Sequence, residues 1–517
     1  MQNETSTFIS NSANQYKGDS KMKKKNYLPV LWFIIGFGLF VFTRGTMYVP
    51  IALVLAPIFI LRFSRTQQKP GKGILFTLLG FVLSITIALW GLFDLGDNVS
   101  SLMFNTIRSL LLAIVLALPY IADRLIYPRF KGFLSTLVFP VSATALYFLN
   151  SLEGPFDGDA VFAHYFYFTG DLSFRQLVSV TGLWGLVFLV SWIASVINWV
   201  WENNAQWETI KPGVVIFSSV IAGVFVFGGL QISPLLNSGE VETVRIAAVT
   251  LNAQDGKVMN FVEMLENKTF SPFEETIATI DHLTKQAALG GAKIVTFQEY
   301  AMVIEKTNEK KFLAELERMA KDHGVYLSLT YAVLIENEKG ENRHILLNDM
   351  GEVEANYLKR YLLGFGPIGE TAYLKKGPEI IPVVKTPYGN IGLAICRDMS
   401  FAPYARQSGQ KNVDIMLDPS ADFPRGKGHS YLMRAIENGF SFIRPTHNGF
   451  SFAVDYHGNV LASKDYFATS NEIMYADVPT KGKTTLYPII GDLFGWLSVL
   501  GFGAFVVIAI KRKREEK

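Results

Sequence analysis

The sequence predicts a multispan α-helical membrane domain followed by a layered α/β domain with a mixed sheet. Three observations carry this. Half of the 517 residues are hydrophobic and 13% are aromatic, and the mean hydropathy of +0.24 is high for a chain that lives wholly in water. Of the 48 basic and 45 acidic residues, 29 fall in 1–242 and 64 in 243–517, so charge density roughly doubles at the midpoint. After Val244 the apolar pattern changes from long unbroken runs to short strand-length runs alternating with amphipathic stretches.

Composition also excludes several classes. There is too much apolar surface for a disordered chain. A net charge of +3, with Lys/Arg clusters only beside apolar segments, gives no basic face for nucleic acid. The single cysteine, Cys396, excludes an internal disulfide framework and any cysteine-cluster metal or iron–sulfur site. The seven histidines are scattered without ligand spacing, so no histidine-based metal site is expected.

A spanning helix needs about 20 mostly apolar residues. The candidate spans are Leu28–Thr43, Tyr48–Leu61, Ile74–Phe93, Met103–Ile121, Phe133–Leu149, Leu177–Trp201 and Val214–Leu230, with a last one at Leu493–Ile510. The first two are short and separated by little more than Arg44; they read as a tight hairpin, the alternative being one bent or re-entrant element. A cleaved signal peptide is not expected, because no small-residue cleavage site precedes a soluble segment. Either Met1 or Met22 could be the start.

Loop charges give the orientation, since basic residues collect on the cytoplasmic side. Lys21, Lys23, Lys24 and Lys25 place the N-terminus inside. Arg62, Arg65, Lys69 and Lys72 mark a second inside loop, and Arg124, Arg129 and Lys131 a third. Asp94 and Asp97 occupy a base-free loop between them, and the 150–176 loop is acidic. Seven spans from an inside start put the segment after Leu230 outside, and the last span returns the basic tail to the cytoplasm. The expected division is a polar cytoplasmic tail at 1–26, a membrane domain at 27–232 and an extracytoplasmic domain at 243–484. A C-terminal transmembrane helix at 490–510 and a basic cytoplasmic tail at 511–517 complete it.

In the soluble part, strands are expected at Arg245–Leu251, Lys293–Phe297, Val325–Val333, Ile345–Asn348, Ala355–Leu358, Ile391–Ile395, Val413–Leu417, Ser441–Arg444, Ser451–Asp455 and Ile473–Asp477. Helices are expected at Glu274–Leu289, Lys310–His323 and Gly428–Asn438. Three polar residues sit at strand ends, where side chains leave an α/β sheet toward a cleft. Glu299 follows Lys293–Phe297, Lys359 follows Ala355–Leu358, and Cys396 ends Ile391–Ile395 with Arg397 beside it, a cation able to lower a thiol pKa. Each alone has an ordinary explanation: a solvated acid, a surface lysine, a buried cysteine acting as a small apolar residue.

Glu, then Lys, then Cys, each at a strand end of one α/β domain, resembles the nitrilase (carbon–nitrogen hydrolase) superfamily. Arg434-Ala435-Ile436-Glu437-Asn438-Gly439, Arg444-Pro445-Thr446-His447-Asn448-Gly449 and Asp455-Tyr456-His457-Gly458 add to the likeness. Spans on both sides of the domain, Gly182-Leu183-Trp184-Gly185 after Gln176-Leu177, and Thr485-Leu486-Tyr487 before Gly491-Asp492, resemble the apolipoprotein N-acyltransferase family. The resemblance implies a nitrilase-like α-β-β-α sandwich, with Glu299 as general base, Lys359 as oxyanion stabiliser and Cys396 as nucleophile. It further implies a phospholipid acyl donor in the bilayer, a Cys thioester, the N-terminal amine of a lipoprotein as acceptor, and no need of a metal or organic cofactor.

This chain departs from the family pattern around those residues. Phe-Gly-Glu is Phe365-Gly366-Pro367, so Glu370 is expected to act as the second carboxylate, holding Lys359 across a Gly-rich loop whose Leu362, Leu363 and Phe365 could form a lipid-facing lid. Cys-Tyr-Glu is Cys396-Arg397-Asp398, Asp398 being expected to cap a following helix. Pro-Glu-Thr is Gln298-Glu299-Tyr300, and Asn-Asp-x-Trp-Phe is Asp418-Pro419-Ser420-Ala421-Asp422-Phe423. The alternatives are a membrane-tethered amidase, an acyltransferase for a different amine, and a non-catalytic membrane scaffold. A papain-like pair of Cys396 with His447 is a further option.

Overall fold

The computed structural model describes residues 27–90, 98–153, 158–167, 170–233, 241–251, 261–364, 369–422, 431–466 and 472–515. The N-terminal tail with its lysines, Asp94, Asp97, Asp157 and Phe365-Gly366-Pro367 lie outside these residues.

The apolar runs form helices α1 (Leu28–Phe40), α2 (Pro50–Thr66), α3 (Pro70–Ala88), α4 (Asn98–Ile126), α5 (Val138–Glu153), α6 (Leu183–Glu202) and α7 (Trp207–Ile232). Among the described residues six helices are long and apolar enough to cross a membrane: α3 to α7 and a C-terminal one at Leu493–Glu515. Helices α1 and α2, 13 and 17 residues long, form a hairpin rather than one bent element. Val49 N–H donates to Phe42 O at 2.8 Å across its turn, and a Cβ at Gly36 would stand 2.9 Å from Ile60, so the two helices pack backbone to backbone. The run expected at Leu177–Trp201 is split. A short helix, Val178–Thr181, ends at Gly182 with φ +59°, where a Cβ would lie 2.6 Å from the Tyr487 ring.

Helix α7 shows what surrounds this part of the chain. Only 11% of its most apolar window is buried within the protein, leaving Val215, Ile216, Val226 and Leu230 exposed. A continuous apolar face of that size is stable against lipid, not water. The chain is a membrane protein.

The second half contains β1 (Thr243–Thr250), α8 (Phe273–Leu289), β2 (Ile294–Phe297), β3 (Met302–Glu305), α9 (Glu309–His323), β4 (Tyr326–Leu334), β5 (Glu341–Leu347) and β6 (Val353–Leu358). It continues through β7 (Val383–Thr386), β8 (Gly389–Leu393), α10 (Ala402–Gln410), β9 (Ile415–Leu417), β10 (Ser420–Ala421) and α11 (Met433–Asn438). The last elements are β11 (Ser441–Arg444), β12 (Thr446–His447), β13 (Phe450–Val454), β14 (Val460–Asp465), β15 (Glu472–Pro479) and α12 (Leu493–Glu515). One sheet runs β15-β1-β2-β4-β5-β6, with β3 on β4; the other runs β14-β13-β11-β9-β8-β7. Strands β3, β7, β10, β12 and β14 have no counterpart among the expected strands, β10 and β12 being only two residues long. The first two are four residues long, and β14 is a half-exposed edge with mixed polarity.

Strand alternation builds the layers. Ile246 and Ala248 of β1 face inward onto Ile415, Leu417 and Ile443 of the other sheet. Ala247 and Val249 face outward onto Ile277, Ile280, Phe312 and Leu316 of α8 and α9. On the far side Met416 and Phe442 join a cluster that includes Tyr404, Ala405 and Ile436, and that continues into Phe162, Trp184 and Val187. The result is an α-β-β-α sandwich whose outer layer on one side merges with the membrane helices. Polar contacts lock that seam: Gln176 Nε2 donates to His457 O at 2.9 Å, Leu486 N–H to Ser179 O at 3.1 Å, and Asp159 N–H to Ser400 O at 3.1 Å.

Candidate active site

Beyond β8 the chain keeps pairing with the neighbouring strand: Ala394 N–H donates to Leu417 O and Cys396 N–H to Pro419 O, each at 3.0 Å. It then turns sharply, because Cys396 has φ +51° and opens a 3₁₀ turn, Cys396–Ser400, leading into α10. A left-handed non-glycine residue costs roughly 1–2 kcal/mol and persists only where its surroundings hold it. Asp398 does so. Its Oδ2 accepts Ile395 N–H at 3.0 Å and the Tyr357 hydroxyl at 2.8 Å, and its Oδ1 accepts Tyr361 N–H at 2.8 Å. Burial pushes its pKa up to about 6, against the pull of these donors. Asp398 thus clamps the turn that presents the thiol.

Glu299, Lys359 and Glu370 are brought together by three different elements, all nearly inaccessible to solvent. Lys359 continues the β5–β6 ladder through its N–H to Asn342 O at 2.9 Å. Its Nζ lies 2.7 Å from Glu299 Oε1 and 2.8 Å from each oxygen of Glu370. Glu299 Oε1 also accepts Asn342 Nδ2 at 2.8 Å, and Oε2 accepts Ala421 N–H at 2.8 Å. Glu370 Oε2 accepts Leu363 N–H at 2.7 Å, and Oε1 accepts the Tyr300 hydroxyl.

The charges follow from that packing. Burial raises the Glu299 pKa, helped by Glu370 and opposed by Lys359. Burial by itself would lower the Lys359 pKa, but Glu299 and Glu370 reverse this and hold the ammonium charged. The Cys396 thiol is pushed up by burial and by Glu299, which outweigh the cations Lys359 and Arg444. The cation expected to act on the thiol, Arg397, stacks over the Phe401 ring at 5.4 Å instead. Glu299 acts electrostatically on the thiol, and a carboxylate of raised pKa is of the kind that can accept a thiol proton.

Other expected residues lie apart from this array. His447 contacts the Tyr466 hydroxyl at 3.3 Å, and burial draws its pKa down to about 4. Arg360, the neighbour of Lys359 in sequence and no part of the expected site, pairs with Glu379 at 2.7 Å on a half-exposed surface. Of the lid residues, Leu362 is buried beside Tyr300 and Leu374, with Leu363 partly buried against the same cluster. Four contributors escaped the sequence reading: Asn342 within β5, the Ala421 backbone N–H, the Tyr300 hydroxyl as a partner of Glu370, and the Tyr357 hydroxyl. Only Tyr300, adjacent to Glu299, carried a positional signal.

Residues 245–484 match the carbon–nitrogen hydrolase family. With its two packed sheets between helical layers, this part of the chain is a nitrilase-like α/β domain. Deaminated glutathione amidase of Mus musculus is 32% identical to it over 168 residues, 29% of this chain and 52% of that protein. The human protein of the same name is 35% identical over 125 residues, 22% of this chain and 37% of that one. The chain therefore spans about half the length of these curated relatives, or less. The hydrolase domain and the membrane helices together are similar to apolipoprotein N-acyltransferase of Pasteurella multocida, at 25% identity over 475 residues, 81% of this chain and 86% of that one. A solved amidase from Nesterenkonia sp. superposes with a TM-score of 0.39 at 22% identity, covering 47% of this chain and 94% of that one.

Proposed function

We propose that this protein is a membrane acyltransferase that moves a fatty acyl chain from phospholipid, through a thioester on Cys396, to the N-terminal amine of a lipoprotein. The observation that carries the reading is the position of Cys396. It packs against the same hydrophobic cluster that contains Phe162, Trp184 and Val187 of the membrane part. An apolar surround of this kind would accept an acyl chain and limit the access of water, which would otherwise hydrolyse a thioester. The similarity to an apolipoprotein N-acyltransferase over both halves of the chain supports the same reading.

In the first half-reaction Glu299 takes the Cys396 proton as sulfur bonds to the ester carbonyl carbon. Charge on the carbonyl oxygen is met by the Lys359 ammonium and a backbone N–H near Cys396, donors whose individual loss typically costs about 10²–10³ in rate. The ester C–O bond breaks, and the lysophospholipid alkoxide leaves with the proton held by Glu299. In the second, an amine nitrogen attacks the thioester, Glu299 accepts its proton, the C–S bond breaks, and the thiolate is reprotonated from Glu299. Glu370 holds Lys359 charged and aimed. The hydrolase domain is assigned to the extracytoplasmic side and both termini to the cytoplasm, from the alternation of loop charge.

The test is mass spectrometry of Cys396 after the full-length protein is incubated with phospholipid. The expected result is one added acyl mass that is discharged by a diacylglyceryl-cysteine peptide. No added mass, together with turnover of simple amides, would make the protein a membrane-tethered amidase instead.

A further inference from the structure

Buried arginines in this protein are generally met by carboxylates. Arg65 is held by Asp123 through two bonds of 2.8 and 2.9 Å, and Arg434 by Asp159 and Glu437. Arg44 departs from that pattern. It joins the α1–α2 hairpin and is only 7% exposed. One terminal nitrogen meets His164 Nε2 at 3.1 Å, the guanidinium lies 5.6 Å over the Phe40 ring, and Nε is buried with no hydrogen-bond partner. Among the described residues no carboxylate forms an ion pair with it. An arginine cannot shed its proton, so a buried guanidinium that no described carboxylate meets is costly unless an anion reaches it.

The surroundings connect this guanidinium to the turn that carries Cys396. Gly45 (φ +73°) runs so close to the end of α3 that a Cβ would stand 2.2 Å from Ala88 O, which fixes the hairpin tip. His164 lies on the segment that begins next to Asp159, whose N–H bonds Ser400 O in the turn carrying Cys396. Arg108 is within electrostatic reach of both Arg44 and Arg397, the residue that follows Cys396. Three arginines, Arg44, Arg108 and Arg397, thus lie within electrostatic reach through Arg108, between the hairpin tip and the turn that carries Cys396.

We propose that Arg44 is the seat of the anionic phosphodiester of a membrane phospholipid, with Arg108 and Arg397 extending the positive field toward Cys396. A guanidinium suits this ligand because its planar fork meets two phosphate oxygens at once. That the lipid bound here is the acyl donor rests on the function proposed above; that it binds does not.

The experiment measures binding of a dialkyl ether phospholipid and of the matching phosphate-free dialkylglycerol to the full-length protein in detergent micelles by native mass spectrometry. Neither probe has an ester for Cys396 to attack, so a failure of the acyl-transfer reading leaves this result intact. The wild type is expected to favour the phospholipid by roughly tenfold or more. Arg44→Gln should erase that preference, and Arg44→Lys should keep part of it. An unchanged preference in Arg44→Gln overturns the proposal. Equal loss of both lipids overturns it too, because it marks a structural role, and so does inorganic phosphate binding as tightly as the ether phospholipid, which marks a free-anion site.

Discussion

Lys359 grips both carboxylate oxygens of Glu370, each at 2.8 Å. Asp398, two residues after Cys396, spends its oxygens on Ile395 N–H, Tyr361 N–H and the Tyr357 hydroxyl. Glu370→Gln should therefore slow acyl-thioester formation by on the order of 10²-fold, since the ammonium loses the charge that aims it. Asp398→Asn should slow it mildly and mainly cost stability, about 1–2 kcal/mol. Thioester formation at matched protein levels checks this; the reverse order sinks the assignment of Glu370.

Cys396→Ser should abolish turnover with the protein still folded and inserted, because an alcohol ionises far less readily than a thiol. Lys359→Ala should also fall steeply, whereas Arg360→Ala, whose partner is the half-exposed Glu379, should change little. Full activity in Cys396→Ser would dispose of the triad.

The Glu299 carboxylate must be ionised to accept a proton, and burial raises its pKa. The acid limb of kcat/KM should accordingly lie above the ordinary glutamate value of about 4.3. Asn342 donates to the ionised form at 2.8 Å, so Asn342→Ala should move that limb upward again, by roughly half to one pH unit. A limb that stays put or moves downward in the variant contradicts the role of Glu299 as base.

His344 is buried between Ser328 Oγ at 2.7 Å and Ala394 O at 3.0 Å, and burial lowers its pKa to about 4. The unfolded chain, with an ordinary pKa of about 6.5, then binds more protons than the folded one below that pH. Stability contributed by neutral His344 is full above about pH 6.5 and is lost as pH falls toward 4, roughly 2 kcal/mol by pH 5. Thermal unfolding of wild type and His344→Gln between pH 7.5 and 5 should show a shallower acid loss in the variant.

The assigned topology predicts that a cysteine placed at Lys481, whose side chain is 77% exposed, reacts with an impermeant reagent on intact cells in a Cys396→Ala background. Labelling only after permeabilisation would reverse the orientation.

The two-part organisation and the strand-end positions of Glu299, Lys359 and Cys396 are legible along the chain, because burial imposes periodicities of 2 and 3.6 that survive in one dimension. The departure at Pro367 also singled out Glu370. What surrounds these side chains had no such signature. Asn342 sits within β5 and looks like any strand polar residue, and the Ala421 N–H belongs to a backbone that every residue shares. Arg397 neighbours the thiol in sequence but stacks on Phe401, while Arg444, distant in sequence, supplies a cation that acts on it. Only the packing of the two sheets decided which donors meet Glu299. Electrostatic and hydrogen-bond energies depend on distances of a few ångströms between elements that the chain order keeps far apart.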